Sequence, residues 1–85
     1  MSAHPTNFQG DVCEAIKTAI EEALPGVTAH VSGRGGHFSI DAVGPVFEGQ
    51  SMLQSQRLVY KAIAHLMAGD LAPVHAVDSL TTRAS

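Results

Sequence analysis

The sequence predicts a small α+β domain in which helices cover one face of a three-stranded mixed sheet. Three observations favour this class. Two stretches carry apolar residues at helical spacing, two short stretches alternate apolar and polar residues around a glycine-rich turn, and a strand-like stretch follows the second helix. The predicted order is α–β–β–(short α)–α–β. A strand, a helical crossover and a further strand favour a right-handed connection with the helices on one face.

Length and composition predict a single domain over residues 9–80, with flexible ends at 1–8 and 81–85. A chain of 85 residues has a modest core, because it buries only about 60–65% of its unfolded surface. Its single cysteine excludes an intramolecular disulfide and fits a reducing compartment. Neither a secretory signal nor an apolar run of about 20 residues is found. We therefore expect a cytoplasmic protein with no membrane contact.

The first helix is predicted over residues 9–24. Pro25 and Gly26 end it, since proline and glycine are typical helix terminators. Its apolar stripe has the spacing of one helix face and consists of Val12, Ile16, Ala19, Ile20, Ala23 and Leu24.

A β-hairpin is predicted over residues 27–32 and 37–43, joined by a four-residue turn at 33–36. In the predicted register Ser32 pairs with His37. A slip of one residue in the pairing would mix apolar and polar side chains on both faces of the hairpin, which supports this register. One face then carries three apolar pairs, which are Val31 with Phe38, Ala29 with Ile40, and Val27 with Ala42.

The second half of the chain is predicted to hold a helical pair and a strand. Ser51 is placed to cap a short helix over 52–56, which leads into a long amphipathic helix over 57–68. The third strand is predicted over about 73–79, with proline at its start, where a missing N–H costs least.

Two features resemble nucleic-acid motifs, and both have a plainer interpretation. The GRGG letters at 33–36 match the GXXG loop of KH modules, but that loop joins two helices, whereas here it joins two strands. The stretch 51–68 could form a helix-turn-helix in which Arg57 and Lys61 contact phosphates. The net charge of −3 argues against tight DNA binding, and a core-packing helix pair is favoured.

Histidines are the side chains that best suggest a site. His37 opens the second strand and His75 lies at the start of the third, so their imidazoles could project from one end of the domain. A lone strand histidine is nevertheless more often structural than a ligand. Two side chains cannot complete a tetrahedral zinc site, so a partner would have to supply further ligands. The chain lacks an identifiable nucleophile–base pair, and we expect no enzymatic activity.

The most specific stretch is VSGRGGHFSIDAVGPVFEGQSMLQSQRLVYKAI, followed by PVHAV. It resembles the BolA family, in particular its short bacterial IbaG/YrbA-like branch, over about residues 12–80. The resemblance implies the αββααβ class II KH-like fold, which agrees with the predicted order of elements. The sequence departs from the family in three ways. A loop cysteine is absent, and Arg34 lies near its place. The tract after the F-x-G of Phe47 and Gly49 is less basic than in the longer relatives, and an additional C-terminal helix is absent.

The resemblance also implies a binding function. BolA-like proteins pair with monothiol glutaredoxins and share a 2Fe–2S cluster, to which the glutaredoxin and glutathione each give one thiolate. His75 matches the family's histidine ligand and His37 is the hairpin ligand, although the sequence leaves open whether His30 takes that place. The implied protein is a monomer alone and a heterodimer with its partner. It would act in iron–sulfur trafficking or in iron or stress regulation. The alternative is a DNA-binding transcriptional regulator that uses Arg57 and Lys61.

Overall fold

A computed structural model describes residues 11–85, which form two α-helices, one 3-10 turn and one sheet. The elements are α1 (Val12–Ala23), β1 (Thr28–Arg34), β2 (His37–Val43), the 3-10 turn (Pro45–Phe47), α2 (Met52–Met67) and β3 (Ala76–Arg83). β2 is the central strand, antiparallel to β1 and parallel to β3. The predicted α+β class and the mixed three-stranded sheet are confirmed. The flexible segment predicted at 1–8 lies outside the described residues.

One hydrophobic core fills the space between the helices and the sheet. Ile16 and Ile20 of α1 and Val59 and Ile63 of α2 are fully buried. They share a single cluster with the core-facing side chains of the sheet, among them Phe38, Ile40 and Ala42. The opposite face of the sheet carries polar and mostly exposed side chains, which include His30, Ser32, Ser39 and Ser79. No helix among residues 11–85 is long and apolar enough to cross a membrane.

A capping box fixes the start of α2. The Ser51 hydroxyl accepts a hydrogen bond from the Gln54 N–H at 3.1 Å, and the Gln54 side-chain oxygen accepts one from the Ser51 N–H at 3.0 Å. Two N–H groups that have no partner within the helix are thereby satisfied. The sequence-based choice of Ser51 as the cap is confirmed.

α2 is one continuous helix, so the predicted division into a short helix over 52–56 and a long one over 57–68 is wrong. The same continuity rules out both the favoured helix pair at 51–68 and its alternative, a helix-turn-helix. Nothing in the sequence of α2 breaks a helix, and a single buried stripe runs along its length. The buried members of this stripe are Ser55, Val59, Ile63 and Leu66.

The hairpin is confirmed, but its predicted register is wrong by two residues. Arg34 rather than Ser32 pairs with His37, and the turn consists of Gly35 and Gly36 alone. Both glycines have positive φ, +65° and +84°, as the favoured two-residue hairpin turn requires. Because the side-chain period of a strand is two, the shift leaves every residue on its predicted face.

Side chains of α1 block the outer edge of β1. The carboxylate of Glu21 accepts the N–H of Ala29 at 3.0 Å, and the ammonium of Lys17 donates to the Ala29 carbonyl at 3.2 Å. Lys17 also pairs with Glu21. The Cys13 thiol donates to the Gly33 carbonyl at 3.6 Å. These contacts protect an edge that would otherwise be open to strand addition.

β3 lies further along the chain than predicted. It spans Ala76–Arg83 rather than 73–79, so Pro73 precedes the strand instead of opening it. Residues 81–83, which were assigned to a flexible C-terminus, belong to the strand and pair with residues 41–43 of β2. An irregularity in the β2–β3 register interrupts the alternation of apolar and polar residues, and this concealed the strand's extent.

Candidate functional site

Two histidines meet at one end of the sheet. His37 is the first residue of β2, and His75 immediately precedes β3. The centroids of their rings are 5.5 Å apart, and the ring planes are tilted by 55°. Both residues are exposed. We call the two histidines, together with Gly36, Val74 and Asp78, the histidine rim.

Backbone contacts hold His75 in place. Val74, directly before it, is 1% exposed, and its N–H donates to the Leu66 carbonyl at 3.0 Å. The carbonyl of Gly36 accepts hydrogen bonds from the N–H groups of His75 at 2.8 Å and Ala76 at 2.9 Å. Gly36 is also the residue that precedes His37. One carbonyl group therefore links the hairpin turn to the segment that carries the second histidine.

Asp78 contacts the other histidine. Its Oδ1 lies 3.1 Å from Nδ1 of His37, and the two side chains are 57% and 53% exposed. No sequence motif assigned a role to Asp78. A signal was present in the three-residue spacing between Val77 and Leu80, because apolar residues that face one core in a regular strand are an even number apart.

The structure leaves His30 apart from the histidine rim. His30 pairs with Asp41, which is four residues along β2 from His37. Arg83 and Thr81 donate hydrogen bonds to the Asp41 carboxylate at 2.8 Å and 2.7 Å. These bonds, the Arg83 contact foremost, hold the pKa of Asp41 below its usual range. The geometry thus selects His37, not His30, as the histidine beside His75.

Cys13 is the only cysteine of the chain, and it lies on α1 with its thiol against β1. Partial burial, together with the carboxylates of Asp11 and Glu14, raises the pKa of the Cys13 thiol. The thiolate, which is the metal-binding and nucleophilic form, is disfavoured.

The histidine rim can provide part of a metal site. Neutral imidazole nitrogens suit iron as ligands. Within residues 11–85, no group of three His, Cys, Asp or Glu side chains is placed to hold a metal ion. Two imidazole nitrogens alone fit only a partial site, to which another molecule would have to add the remaining ligands.

The side chains proposed for DNA contact lie elsewhere. Arg57 and Lys61 are both exposed and stand one turn apart on α2. They have the spacing of neighbours on one helix face. Two exposed cations on a continuous helix do not favour contact with DNA over contact with solvent.

Sequence comparison identifies the family. A family model described as BolA-like protein matches residues 7–85. The acid stress protein IbaG of Escherichia coli (strain K12) is 37% identical over 63 residues, which cover 74% of this chain and 73% of IbaG. BolA-like protein 1 of Homo sapiens is 41% identical over 78 residues, which cover 80% of this chain and 55% of the human protein.

Solved structures agree with this result. A bolA protein homologue from Coxiella burnetii superimposes with a TM-score of 0.70 at 36% identity, covering 84% of this chain and 87% of the other. BolA1 from Arabidopsis thaliana gives a TM-score of 0.72, covering 89% and 94%, and its 18% identity supports the fold alone. The family model, the relatives and the shared fold together show that this chain belongs to the BolA-like protein family.

Proposed function

We propose that this chain is a non-enzymatic, cytoplasmic partner of a monothiol glutaredoxin and supplies His75 and His37 as ligands to a shared 2Fe–2S cluster. The observation that carries the proposal is the exposed pair of imidazoles with ring centroids 5.5 Å apart. The role would be iron–sulfur trafficking or iron or stress regulation. A relative named as an acid stress protein supports the stress context.

The donor set of the histidine rim suits a cluster shared between two proteins. The chain offers two nitrogens and no third ligand among residues 11–85, so the partner side must supply the remaining ligands. Under the family resemblance, these are thiolates of the glutaredoxin and of glutathione. When bound, the cluster supplies one-electron chemistry, and imidazole in place of thiolate raises its reduction potential.

The remaining residues of the rim hold the two ligands ready for a partner. The buried Val74 anchors the His75 segment against α2, and the Gly36 carbonyl ties that segment to the hairpin turn. The exposure of both histidines leaves room for a second protein to approach. The chain alone would be a monomer, and the cluster would form only in the heterodimer.

The test is cluster assembly with a monothiol glutaredoxin, glutathione, iron and sulfide under anaerobic conditions, followed by visible absorption and circular dichroism. His75→Ala should abolish or change the spectrum of the heterodimer cluster, and His37→Ala should change it. His30→Ala is the matched control, since it removes a strand histidine outside the rim. An unchanged spectrum in His75→Ala would contradict the proposal.

A further inference from the structure

We propose that Asp78 is a positioning residue for His37. Its carboxylate holds the proton on Nδ1 of the ring, which leaves Nε2 as the nitrogen that carries a lone pair for a metal. This inference rests on the proposed function, because it assigns the ligating atom within that site.

The first observation is the contact between the two side chains. Asp78 Oδ1 and His37 Nδ1 are 3.1 Å apart, within hydrogen-bonding distance, although the residues are 41 positions apart in the sequence. An ionised carboxylate can only accept a hydrogen bond. The contact therefore requires a proton on Nδ1, and in a neutral imidazole the other nitrogen then carries the lone pair.

The second observation is the place of Asp78 in the sheet. Phe38 pairs with Val77 and Ser39 with Ser79, so the register of β2 and β3 skips Asp78. This extra residue, a bulge that is rare between parallel strands, bends the strand locally and redirects a side chain.

The core explains why the bulge is needed. Val77 and Leu80 both pack against the hydrophobic core, although they are three positions apart in the strand. In a regular strand they would face opposite sides of the sheet. The extra residue brings both to the core, and the side chain of Asp78 at the bulge contacts His37.

The arrangement resembles the way proteins orient histidine ligands in general. A ligating histidine usually donates its second ring N–H to a carboxylate or carbonyl, which fixes the tautomer and the ring and makes the ligand more basic. The carboxylate of Asp78, which contacts His37, fits this role. The contact exists in the chain alone, so the ring would be set before a partner arrives.

The experiment reads the tautomer of His37 directly. Long-range ¹H–¹⁵N NMR is recorded on the free, uniformly labelled chain in mildly alkaline buffer. The wild type should show His37 protonated on Nδ1. Asp78→Ala should shift its ring nitrogens towards the Nε2–H pattern that solvated imidazoles favour. Asp70→Ala, which removes an exposed carboxylate outside the rim, should leave the wild-type pattern, and Asp78→Asn should lie between.

Two results would overturn the inference. The first is a wild-type His37 protonated mainly on Nε2, or a pattern unchanged in Asp78→Ala with a native-like amide spectrum. The second is a changed tautomer in Asp78→Ala without any change in the electron paramagnetic resonance spectrum of the reduced heterodimer cluster, when His37→Ala does change that spectrum. The NMR measurement needs neither glutaredoxin nor cluster, so its failure leaves the proposed function standing. Failure of the proposed function would instead appear as a cluster spectrum indifferent to His75→Ala.

Discussion

The carbonyl oxygen of Gly36 accepts a hydrogen bond from the backbone N–H of His75 at 2.8 Å. Gly36 belongs to the two-residue turn that precedes His37, whereas His75 belongs to the segment between α2 and β3. The same oxygen accepts the N–H of Ala76 at 2.9 Å. The spacing of the two histidines therefore depends on how the hairpin is formed.

Gly33→Ala should destabilise the fold more than Gly35→Ala. A Cβ on Gly33 would lie 2.2 Å from the His37 carbonyl oxygen, and the residue has φ of +133°. Gly35 has φ of +65° but open space around it. Backbone strain alone costs about 1–2 kcal/mol, and the collision at Gly33 adds to it. Urea denaturation should show a loss at least about 1 kcal/mol larger for Gly33→Ala. Equal losses would contradict the hairpin geometry.

Val74→Ala should lower the free energy of unfolding by about 2 kcal/mol, since it removes two buried methyl groups and leaves a cavity. Val74 is 1% exposed and directly precedes His75. Met52→Ala is the matched control, because Met52 is 74% exposed and should change the stability by less than about 0.5 kcal/mol. Thermal unfolding followed by circular dichroism measures both. A Val74→Ala variant as stable as the control would show that this anchor is not needed.

Ser51→Ala should cost about 1 kcal/mol, because it removes the side-chain acceptor for the Gln54 N–H at the start of α2. Ser51→Asp keeps an acceptor at the same place and should retain most of the stability. Chemical denaturation of the three proteins is the measurement. If alanine and aspartate behave alike, the capping box does not stabilise the helix.

The Glu21 contacts predict a specific dependence of stability on pH. The hydrogen bond from Lys17, followed by that from the Ala29 N–H, lowers the pKa of Glu21 in the folded chain. A carboxyl group of this kind stabilises the fold above its unfolded pKa, near 4.3, and the contribution disappears as the pH falls through the lower folded value. Glu21→Gln should therefore be less stable than the wild type at pH 7.

Below about pH 4, the difference in the free energy of unfolding between Glu21→Gln and the wild type should become smaller. Urea denaturation at pH 7 and at about pH 3 provides the measurement. Glu22→Gln, on the exposed side of the same helix, is the matched control and should follow the wild type at pH 7. A Glu21→Gln deficit that is the same at both pH values would contradict the assigned ion pair.

Periodicity predicted those parts of the fold in which one face is continuously apolar. The α1 and α2 stripes and the face sorting of the hairpin are of this kind. The hairpin register was wrong because a shift of two residues preserves the faces, so the pattern could not choose between a loop of four residues and the turn at Gly35 and Gly36. The extent of β3 was missed because the bulge at Asp78 breaks the alternation on which strand prediction depends.

The candidate site was predictable in its residue types and only partly in its geometry. The positions of His37 and His75 at strand ends indicated a common end of the domain. The Gly36 hydrogen bonds and the Asp78 contact join residues about 40 positions apart, and no local pattern encodes them. His30 lies on a neighbouring strand, and only the observed pairing with Asp41 separates it from the rim.

The measurement that tests the central claim most directly is pulsed electron paramagnetic resonance on the reduced heterodimer cluster, with only the histidines of this chain labelled with ¹⁵N. We expect couplings from two imidazole nitrogens, one lost in His75→Ala and the other in His37→Ala, with both retained in His30→Ala. A cluster that shows no coupling to any histidine nitrogen of this chain would contradict the account.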